Sequence, residues 1–288
     1  MKSCMNEKKL DTDYLGQWIG NREIIEETIS AVPLLRMAAT LDHEPRGIQD
    51  GDEVPPLWHW VYFLTPTRAS KLGRDGHAAL GNFMPPVPLP RRMWAGGKFE
   101  FIRPLQVGDV ARKESTVRNV TVKQGRTGKL CFVEVEHCIF VDEDLRFRET
   151  HNIVYRDVKQ AGEKDALPPA APRDPQWTRE VIPDSTLLFR YSALTFNGHR
   201  IHYDLDFCRR QEGYPGLVFH GPLTATLLLE LAMQNNPGRS LKYYEFKALS
   251  PLFDDAAFSL NGKMHGTKAD LWATNADNRL AMKASVVF

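Results

Sequence analysis

The stretch RYSALTFNGHRIHYDLDFCRRQEGYPGLVFHGPL, residues 190–223, leads directly into LTATLLLELAM, the longest apolar helix signal of the 288-residue chain. Pro222 suits the first turn of that helix, because its φ angle is fixed and its missing N–H has no partner there in any case. An apolar helix needs another layer to pack against. We therefore expect the rest of the chain to supply a scaffold around this stretch.

The composition excludes several classes of protein. Lysine and arginine total 37 against 36 aspartate and glutamate, so no overall field would recruit nucleic acid or an anionic membrane. No window approaches about 18 consecutive apolar residues, which argues against a membrane span. The 4 cysteines form no CxxC pair, and no apolar leader precedes a cleavage-like site. We expect a cytoplasmic protein with free thiols.

The first half of the sequence changes from helical to alternating patterns. Residues 11–41 have a helical pattern, and the apolar run LWHWVYFL at 57–64 predicts a second helix. Residues 73–97 have the composition of a loop, and a loop of this length is usually functional or mobile. Alternation within 98–156, with a turn at 125–128, predicts about four antiparallel strands.

The second half repeats this order. Residues 159–174 are rich in proline, alanine and charge, and form the predicted linker between a first half at 1–158 and a second half at 175–288. At an offset of 154 residues, 35–39 aligns with 189–193, and an offset of 147 relates the strand regions. The sequence therefore predicts an internal repeat.

Each half is predicted to contain a short helix, a loop, an apolar helix and about four antiparallel strands. A sheet that wraps a buried helix satisfies this order, because strands with one apolar face need a partner layer. Two such units can join their sheets edge to edge and hide edges that would otherwise promote aggregation. We predict an α+β chain whose two antiparallel sheets form one continuous sheet.

The opening stretch also carries the candidate catalytic groups. Asp184 or Ser185 can cap a helix that ends before the turn at 196–198, where asparagine and glycine are favoured. A neutral imidazole, with an ordinary pKa of about 6.5, can take a proton from water and return one to carbon. Gly221, the predicted N-cap of the apolar helix, can aim its N–H at a developing oxyanion. These groups suit addition of water to an unsaturated thioester.

The motifs FNGHRIHYD, EGYPGLVFHGPL and KALSPLF resemble the type 2 dehydratase branch of the MaoC-like hotdog-fold family of (R)-specific enoyl-CoA hydratases and hydroxyacyl-thioester dehydratases. In the first half, LPRRMWAGGKFEFIRPLQVGD is similar to the degenerate N-terminal domain of such proteins. The resemblance covers most of residues 11–288. It implies a tandem double hotdog with a degenerate, tunnel-shaping half at 1–158 and a catalytic half at 175–288. No cofactor beyond the CoA part of the substrate is implied.

The resemblance also assigns roles to individual residues. In the family's usual motif an aspartate precedes the catalytic histidine by five residues, and here these positions are Asn197 and His202. His202 would then do the acid–base work while Asn197 orients water and the Gly221 amide holds the thioester oxygen. His199 is a candidate for a second proton carrier. The first half has no matching pair at His43, so one active site per chain is expected.

The resemblance extends to the substrate. The members that the chain resembles hydrate mesaconyl-C4-CoA or itaconyl-CoA, thioesters with a second, free carboxylate, to citramalyl-CoA. That carboxylate needs a cation, and arginine is suited to a bidentate contact. The candidate substrate-binding residues are four arginines together with aromatic and motif positions: Arg91, Arg92, Arg190, Arg200, Trp94, Tyr191, Tyr203, Val218 and His220.

Alternatives remain open from the sequence. A 3-hydroxyacyl-thioester dehydratase of fatty-acid or polyketide type, an acyl-CoA thioesterase and a non-catalytic acyl-CoA binder share this scaffold. His199, His202 and Asp204 form an HxxHxD string that could hold a metal ion. An extended segment would keep the two imidazoles from converging, so we predict no metal. Both a monomer and a homodimer fit the sequence.

Overall fold

The structure is a computed structural model that describes residues 10–44, 47–125, 128–157 and 167–288. Ten strands are defined in these ranges. Those of the first half are β1 (Arg22–Thr28), β2 (Arg91–Phe101), β3 (Val110–Gly125), β4 (Gly128–Val141) and β5 (Asp144–Arg156). Those of the second half are β6 (Trp177–Val181), β7 (Tyr243–Ala248), β8 (Phe258–His265), β9 (Lys268–Thr274) and β10 (Leu280–Val287).

The described helices are few and mostly short. They are α1 (Thr12–Gly16), α2 (Ala31–Thr40), α3 (Ser185–Leu194), α4 (Leu205–Phe207) and α5 (Gly221–Gln234). A π-helical turn at Cys208–Glu212 follows α4, and 3-10 turns lie at Trp58–Val61, Ala69–Lys71 and Arg200–His202.

The strands form one sheet in the order β1-β3-β4-β5-β2-β7-β10-β9-β8-β6. All paired strands in the described ranges are antiparallel. Read from the outer edge of the sheet inward, the first half is β1-β3-β4-β5-β2 and the second half is β6-β8-β9-β10-β7. The strands of the two halves therefore follow the same order, as the predicted repeat requires. The halves meet where β2 pairs with β7, from Gly96 opposite Lys247 to Glu100 opposite Tyr243. Two antiparallel sheets therefore join into one continuous sheet, as predicted.

The helical pattern predicted for 11–41 is wrong in its middle part. Only α1 and α2 are helical, and β1 lies between them as an edge strand paired with β3. Ile24 and Ile25 fall on opposite faces of this strand, with Ile24 58% exposed. Pairing with the long strand β3 satisfies the backbone, and tertiary context of this kind overrides local pattern.

The predicted helix at 57–64 is also wrong, because only the 3-10 turn Trp58–Val61 forms. Leu57 and Phe63 bracket this turn with left-handed φ angles of 68° and 57°, which no α-helix accommodates. The turn is instead held by its aromatic side chains. The Trp58 indole donates to Glu230 Oε1 on α5 at 3.3 Å.

Helix α5 forms the centre of the second half, as predicted. Its buried residues run from Leu223 to Ala232, and it packs on β7, β8, β9 and β10. The Tyr244 hydroxyl reaches from the sheet to the Ala225 carbonyl at 2.8 Å. One apolar core contains residues of both halves. No helix in the described part of the chain is long and apolar enough to cross a membrane.

Two predicted connections lie partly outside the described residues. Residues 159–166 of the predicted linker are outside them, and Ala170, further along, makes a β-bridge with Arg279. At the predicted turn 125–128, Gly125 and Gly128 face each other as the last pair of the β3–β4 ladder. The predicted four strands within 98–156 correspond to β2–β5, although β2 begins earlier, at Arg91.

Candidate active site

The candidate site begins at the end of α3. The Asp184 side chain caps this helix by accepting hydrogen bonds from the Thr186 and Leu187 amides at 2.7 and 2.9 Å, as predicted. After α3 the chain turns at Phe196, whose φ of 49° is left-handed. The Asn197 amide then bonds back to the Ser192 carbonyl at 2.8 Å. This reversal turns the histidine motif back toward the core.

The histidine motif is a 3-10 turn, not the extended segment that we predicted. The turn Arg200–His202 brings His199 and His202 to 5.4 Å between ring centroids, nearly perpendicular to each other. Asp204 lies apart from both rings, since it accepts from the Phe207 amide at 2.9 Å and from Arg200. Among the described residues, the ligand atoms that come together with His199 are those of Asp75 and His77, not those of His202 and Asp204.

His202 is buried with one nitrogen fixed. Its Nδ1 lies 2.7 Å from the Val218 carbonyl oxygen, which can only accept, so Nδ1 carries the proton and Nε2 keeps a lone pair. Val218 itself is held by its amide, which donates to the Ile201 carbonyl at 2.9 Å. Burial lowers the pKa of His202 to about 4, although the Val218 carbonyl opposes this shift. His202 is therefore a neutral base at neutral pH.

His220 stacks on His202 with ring centroids 3.7 Å apart. Its Nε2 lies 2.8 Å from the Ser192 hydroxyl, and Tyr191 packs edge-on against the ring at 4.9 Å. Burial, followed by the neighbouring His202, lowers the pKa of His220 well below its ordinary value. His220 thus holds the His202 ring in position, and Tyr191 packs against the His220 ring.

Asn197 and His199 are linked through the backbone. The Asn197 side-chain oxygen accepts the His199 amide at 3.0 Å, which leaves the NH₂ group of Asn197 as a donor. The His199 ring is buried, and burial, then His77 and His202, lowers its pKa well below the usual range. The site therefore contains neutral imidazoles beside an amide donor.

Gly221 is the first residue of α5, and His220 is its N-cap. The prediction of Gly221 as the N-cap is therefore wrong by one residue. The Gly221 N–H finds no acceptor among the described residues, because it precedes the first intrahelical hydrogen bond. Apart from its neighbours in the helix, no heavy atom lies within 4 Å of the place where a Cβ would stand. A ligand oxygen can therefore approach this amide closely.

The four predicted arginines have different surroundings. Arg91 is buried and pairs with Glu212 at 2.9 Å. Arg200 bonds to Asp204 at 3.0 and 2.7 Å, so both are already neutralised. Arg190 is exposed on α3, and no contact in the described part of the chain joins it to the histidines. These three residues are poorly placed for a substrate carboxylate.

Arg92 differs from the other three. Its guanidinium lies 6.0 Å from the centre of the Tyr155 ring, and no carboxylate within the described ranges pairs with it. Burial is the main cause of the lowered pKa of His77 and of His199, and the Arg92 charge adds to both shifts. Arg92 is therefore a free cation beside the histidines.

Two predicted aromatic residues lie outside the histidine cluster. Trp94 stacks on His151 at 3.9 Å and donates to the Gly96 carbonyl at 2.7 Å. Tyr203 is 49% exposed, and its hydroxyl donates to the Gly198 carbonyl at 3.0 Å. Tyr203 steadies the motif loop, and Trp94 lies against His151, which lines a neighbouring cavity.

The neighbouring cavity has a volume of about 200 Å³ and lies against Thr195 and Phe196, directly before Asn197. Its other walls come mainly from the first half: His59, Trp60, Tyr62, Lys113, Glu149 and His151. Glu149 is buried there and lies 3.0 Å from His59 and 3.2 Å from His151. The first half therefore has buried charged and histidine side chains in this cavity, whereas the second half has the apolar helix α5.

Two functional candidates were not predicted from the sequence, namely Asp75 and His77. They belong to the segment 73–97, which we expected to be functional only because of its length. The His77 ring lies 4.3 Å from the His199 ring, and Asp75 lies 2.9 Å from His77. Ligand-type atoms of Asp75, His77 and His199 lie within 4.8 Å of one another, as do those of His137, Glu149 and His151.

Known proteins resemble this chain over nearly its whole length. The profile of the family described as "Hydroxyacyl-thioester dehydratase type 2" matches residues 57–254. The chain is 44% identical over 270 residues to "Mesaconyl-C(4)-CoA hydratase" of Chloroflexus aurantiacus, covering 93% of this chain and 96% of that protein.

Solved structures share the architecture at low sequence identity. A MaoC-like dehydratase from Phytophthora capsici superposes with a TM-score of 0.71 at 12% identity, covering 96% of this chain and 97% of its own. A Mycobacterium tuberculosis protein described as having a double hotdog fold gives 0.57 at 13% identity, covering 95% of this chain and 98% of its own. The predicted tandem double hotdog is confirmed.

Proposed function

Because the chain belongs to the hydroxyacyl-thioester dehydratase type 2 family, we propose that it adds water reversibly to the double bond of a C5-dicarboxylic enoyl-CoA. The substrate is mesaconyl-C4-CoA or its isomer itaconyl-CoA, and the product is citramalyl-CoA. The 44% identical relative, named for the first of these thioesters, supports this choice. No cofactor beyond the CoA part of the substrate takes part.

The observation that carries the proposal is the fixed tautomer of His202. With Nδ1 donating to Val218, the Nε2 lone pair is available to a water molecule. The NH₂ group of Asn197, whose oxygen is already engaged, can donate to that water and orient it. A neutral imidazole and an amide donor together can activate a water molecule for addition to the double bond.

The electron flow follows from these positions. His202 removes a proton from water while the water oxygen bonds to the β-carbon of the substrate. In mesaconyl-C4-CoA, whose double bond is conjugated with the thioester, the electrons of the double bond move toward the thioester oxygen, which receives the Gly221 N–H at the positive end of α5. The imidazolium then returns a proton to the α-carbon, and the enzyme regains its starting state.

Arg92 is the cation that we assign to the free carboxylate of the substrate. It is the member of the predicted arginine set that has a position beside the histidines and lacks a carboxylate partner in the described chain. An approaching carboxylate would form charge-assisted hydrogen bonds with its guanidinium. This assignment predicts that the enzyme prefers dicarboxylic to plain acyl thioesters.

We further propose a cytoplasmic location. Support comes from Cys131, Cys138 and Cys208, which are all free thiols, since structural disulfides are rare in reducing compartments.

The test is incubation of the purified protein with mesaconyl-C4-CoA, itaconyl-CoA and crotonyl-CoA. Absorbance of the enoyl thioester and release of free thiol are followed in parallel. We expect loss of the enoyl absorbance without thiol release, fastest on the dicarboxylic esters. Thiol release with an intact double bond would instead assign the protein as a thioesterase, and fastest turnover of crotonyl-CoA would assign it as a dehydratase of fatty-acid type.

A further inference from the structure

A segment of the first half reaches into the catalytic site of the second half. The Arg200 amide donates to the Asp75 carbonyl at 2.9 Å, which joins this segment to the histidine turn. Gly76 has a left-handed φ of 90°, and its backbone lies so close to Gly198 that any side chain there would collide with the Gly198 carbonyl. The N-terminal half therefore contributes directly to the site and does more than shape a tunnel.

Asp75 and His77, which we call the relay pair, are held in one geometry. Asp75 Oδ2 lies 2.9 Å from His77 Nδ1, and Asp75 Oδ1 accepts the His77 amide at 3.1 Å. Burial alone would raise the pKa of Asp75, but the contacts with His77 outweigh it and hold the pKa below its usual value. An ionised Asp75 fixes the proton on Nδ1, and His77 keeps a lone pair on Nε2.

The relay pair lies in a series of ring contacts that leads to the catalytic histidine. Ring centroids are separated by 4.3 Å from His77 to His199 and by 5.4 Å from His199 to His202. The two ends of this series differ in how well they can hold a positive charge. His202 has only a neutral carbonyl beside its Nδ1, whereas His77 has a carboxylate, which stabilises an imidazolium far better in a buried site.

We propose that the relay pair holds the proton that His202 removes from water and returns it, through His199, for delivery to the α-carbon. The step rests on the proposed hydration. The O–H bond of water breaks as the C–O bond forms, and the proton passes from His202 to His199 and then to His77. It returns along the same path to form the C–H bond, so each imidazole ends as it began and no co-reactant is required.

The relay should be visible in the pH dependence, because His77 is coupled to four neighbouring groups. Asp75 and the Arg92 guanidinium on β2 act directly on the pKa of His77, and a charge on His77 would be felt by His199 and His202, whose pKa values His77 lowers. Burial lowers the pKa of His77, and Asp75 opposes that shift. Removal of the Asp75 charge therefore lowers the pKa further and makes the protonated relay harder to form.

The experiment compares Asp75→Asn and His77→Gln with the wild-type enzyme. We expect kcat on the best thioester to fall about 10- to 100-fold in each variant, with KM changed less than about threefold. In Asp75→Asn the acidic limb of the kcat profile should move to lower pH by about one unit or more. Free imidazole should restore part of the activity of His77→Ala, which a purely structural role would not allow.

The matched control is the exposed pair His265 and Asp270, whose atoms lie 3.6 Å apart on β8 and β9. His265→Gln and Asp270→Asn should leave kcat and its pH profile unchanged. An unchanged kcat and profile in both relay variants would overturn the relay. So would a stoichiometric metal ion in the purified protein that is lost in Asp75→Asn and His77→Gln, because its loss would assign Asp75, His77 and His199 as its ligands rather than His137, Glu149 and His151.

A readout without substrate separates this inference from the proposed function. In isotope-labelled histidine NMR, His77 should be protonated on Nδ1 and bare on Nε2, and its pKa should fall in Asp75→Asn. The opposite tautomer would overturn the relay even in an active hydratase. If the wild-type protein turns over no enoyl thioester, the proposed function fails, and the relay fails with it.

Discussion

Substitution of Arg92 by glutamine tests how the site recognises a dicarboxylic substrate. The Arg92 side chain is half-buried and has no carboxylate partner among the described residues. A hydrogen bond to a charged group contributes about 1.5–3 kcal/mol. At about 1.4 kcal/mol per factor of ten, the variant should lose about 10- to 150-fold in kcat/KM on mesaconyl-C4-CoA.

The assay measures kcat/KM of Arg92→Gln on mesaconyl-C4-CoA and on crotonyl-CoA, which has no second carboxylate. Activity on crotonyl-CoA should remain within about threefold of wild type, so that discrimination between the substrates collapses. Arg200→Gln is the matched control, because Arg200 is bound to Asp204 and should not affect discrimination. If Arg92→Gln loses activity equally on both thioesters, or keeps its discrimination, the assignment of Arg92 is refuted.

Three other predictions concern the base, the pH range and the core. His202→Gln should reduce kcat by about a hundredfold or more, and an unaffected kcat would remove His202 from the reaction. Because burial lowers the pKa of His202 to about 4, its neutral form persists as pH falls. The acidic limb of kcat/KM should therefore lie well below the ordinary histidine value of about 6.5, and a limb at that value would contradict the argument that burial lowers the pKa of His202. Leu228→Ala in α5, where Leu228 is fully buried, should lower the free energy of unfolding by about 2–5 kcal/mol in denaturant titrations. The control Phe189→Ala, 63% exposed on α3, should change it by less than about 0.5 kcal/mol.

The sequence predicted the architecture where the pattern and the long-range structure agree. Helices α2 and α3 are related by the predicted offset, and α5 is buried as its apolar composition requires. The prediction of helices was wrong at β1 and at the 3-10 turn Trp58–Val61. In both cases a partner distant in sequence decides the conformation: strand β3 for the first, and Glu230 for the second.

The site was predicted only as far as one continuous motif extends. Asn197, His199, His202 and Gly221 are close in sequence, so their spacing could be interpreted directly. His77 joins them from the other half of the repeat, and its segment had no distinctive pattern beyond its length. The curled turn Arg200–His202 was missed for a different reason: it depends on hydrogen bonds from Arg200 to Asp75 and from His202 to Val218.

The first half differs from the second half in the region of the central helix. The first half has a 3-10 turn in place of α5, and the polar cavity beside Thr195 occupies this region. Glu149 remains ionised there because His151 and His59 outweigh the effect of burial and hold its pKa well below the ordinary value. A polar interior next to the catalytic loop is consistent with a small, charged acyl group rather than a long apolar chain.

The central claim, that the enzyme adds water to a dicarboxylic enoyl-CoA at His202, is tested most directly with mesaconyl-C4-CoA in water enriched in heavy oxygen. Mass spectrometry of the intact CoA ester should show one heavy oxygen in the new hydroxyl group, with CoA still attached, and His202→Gln should lose this product. Heavy oxygen found only in a released carboxylate, together with free CoA, would contradict the account.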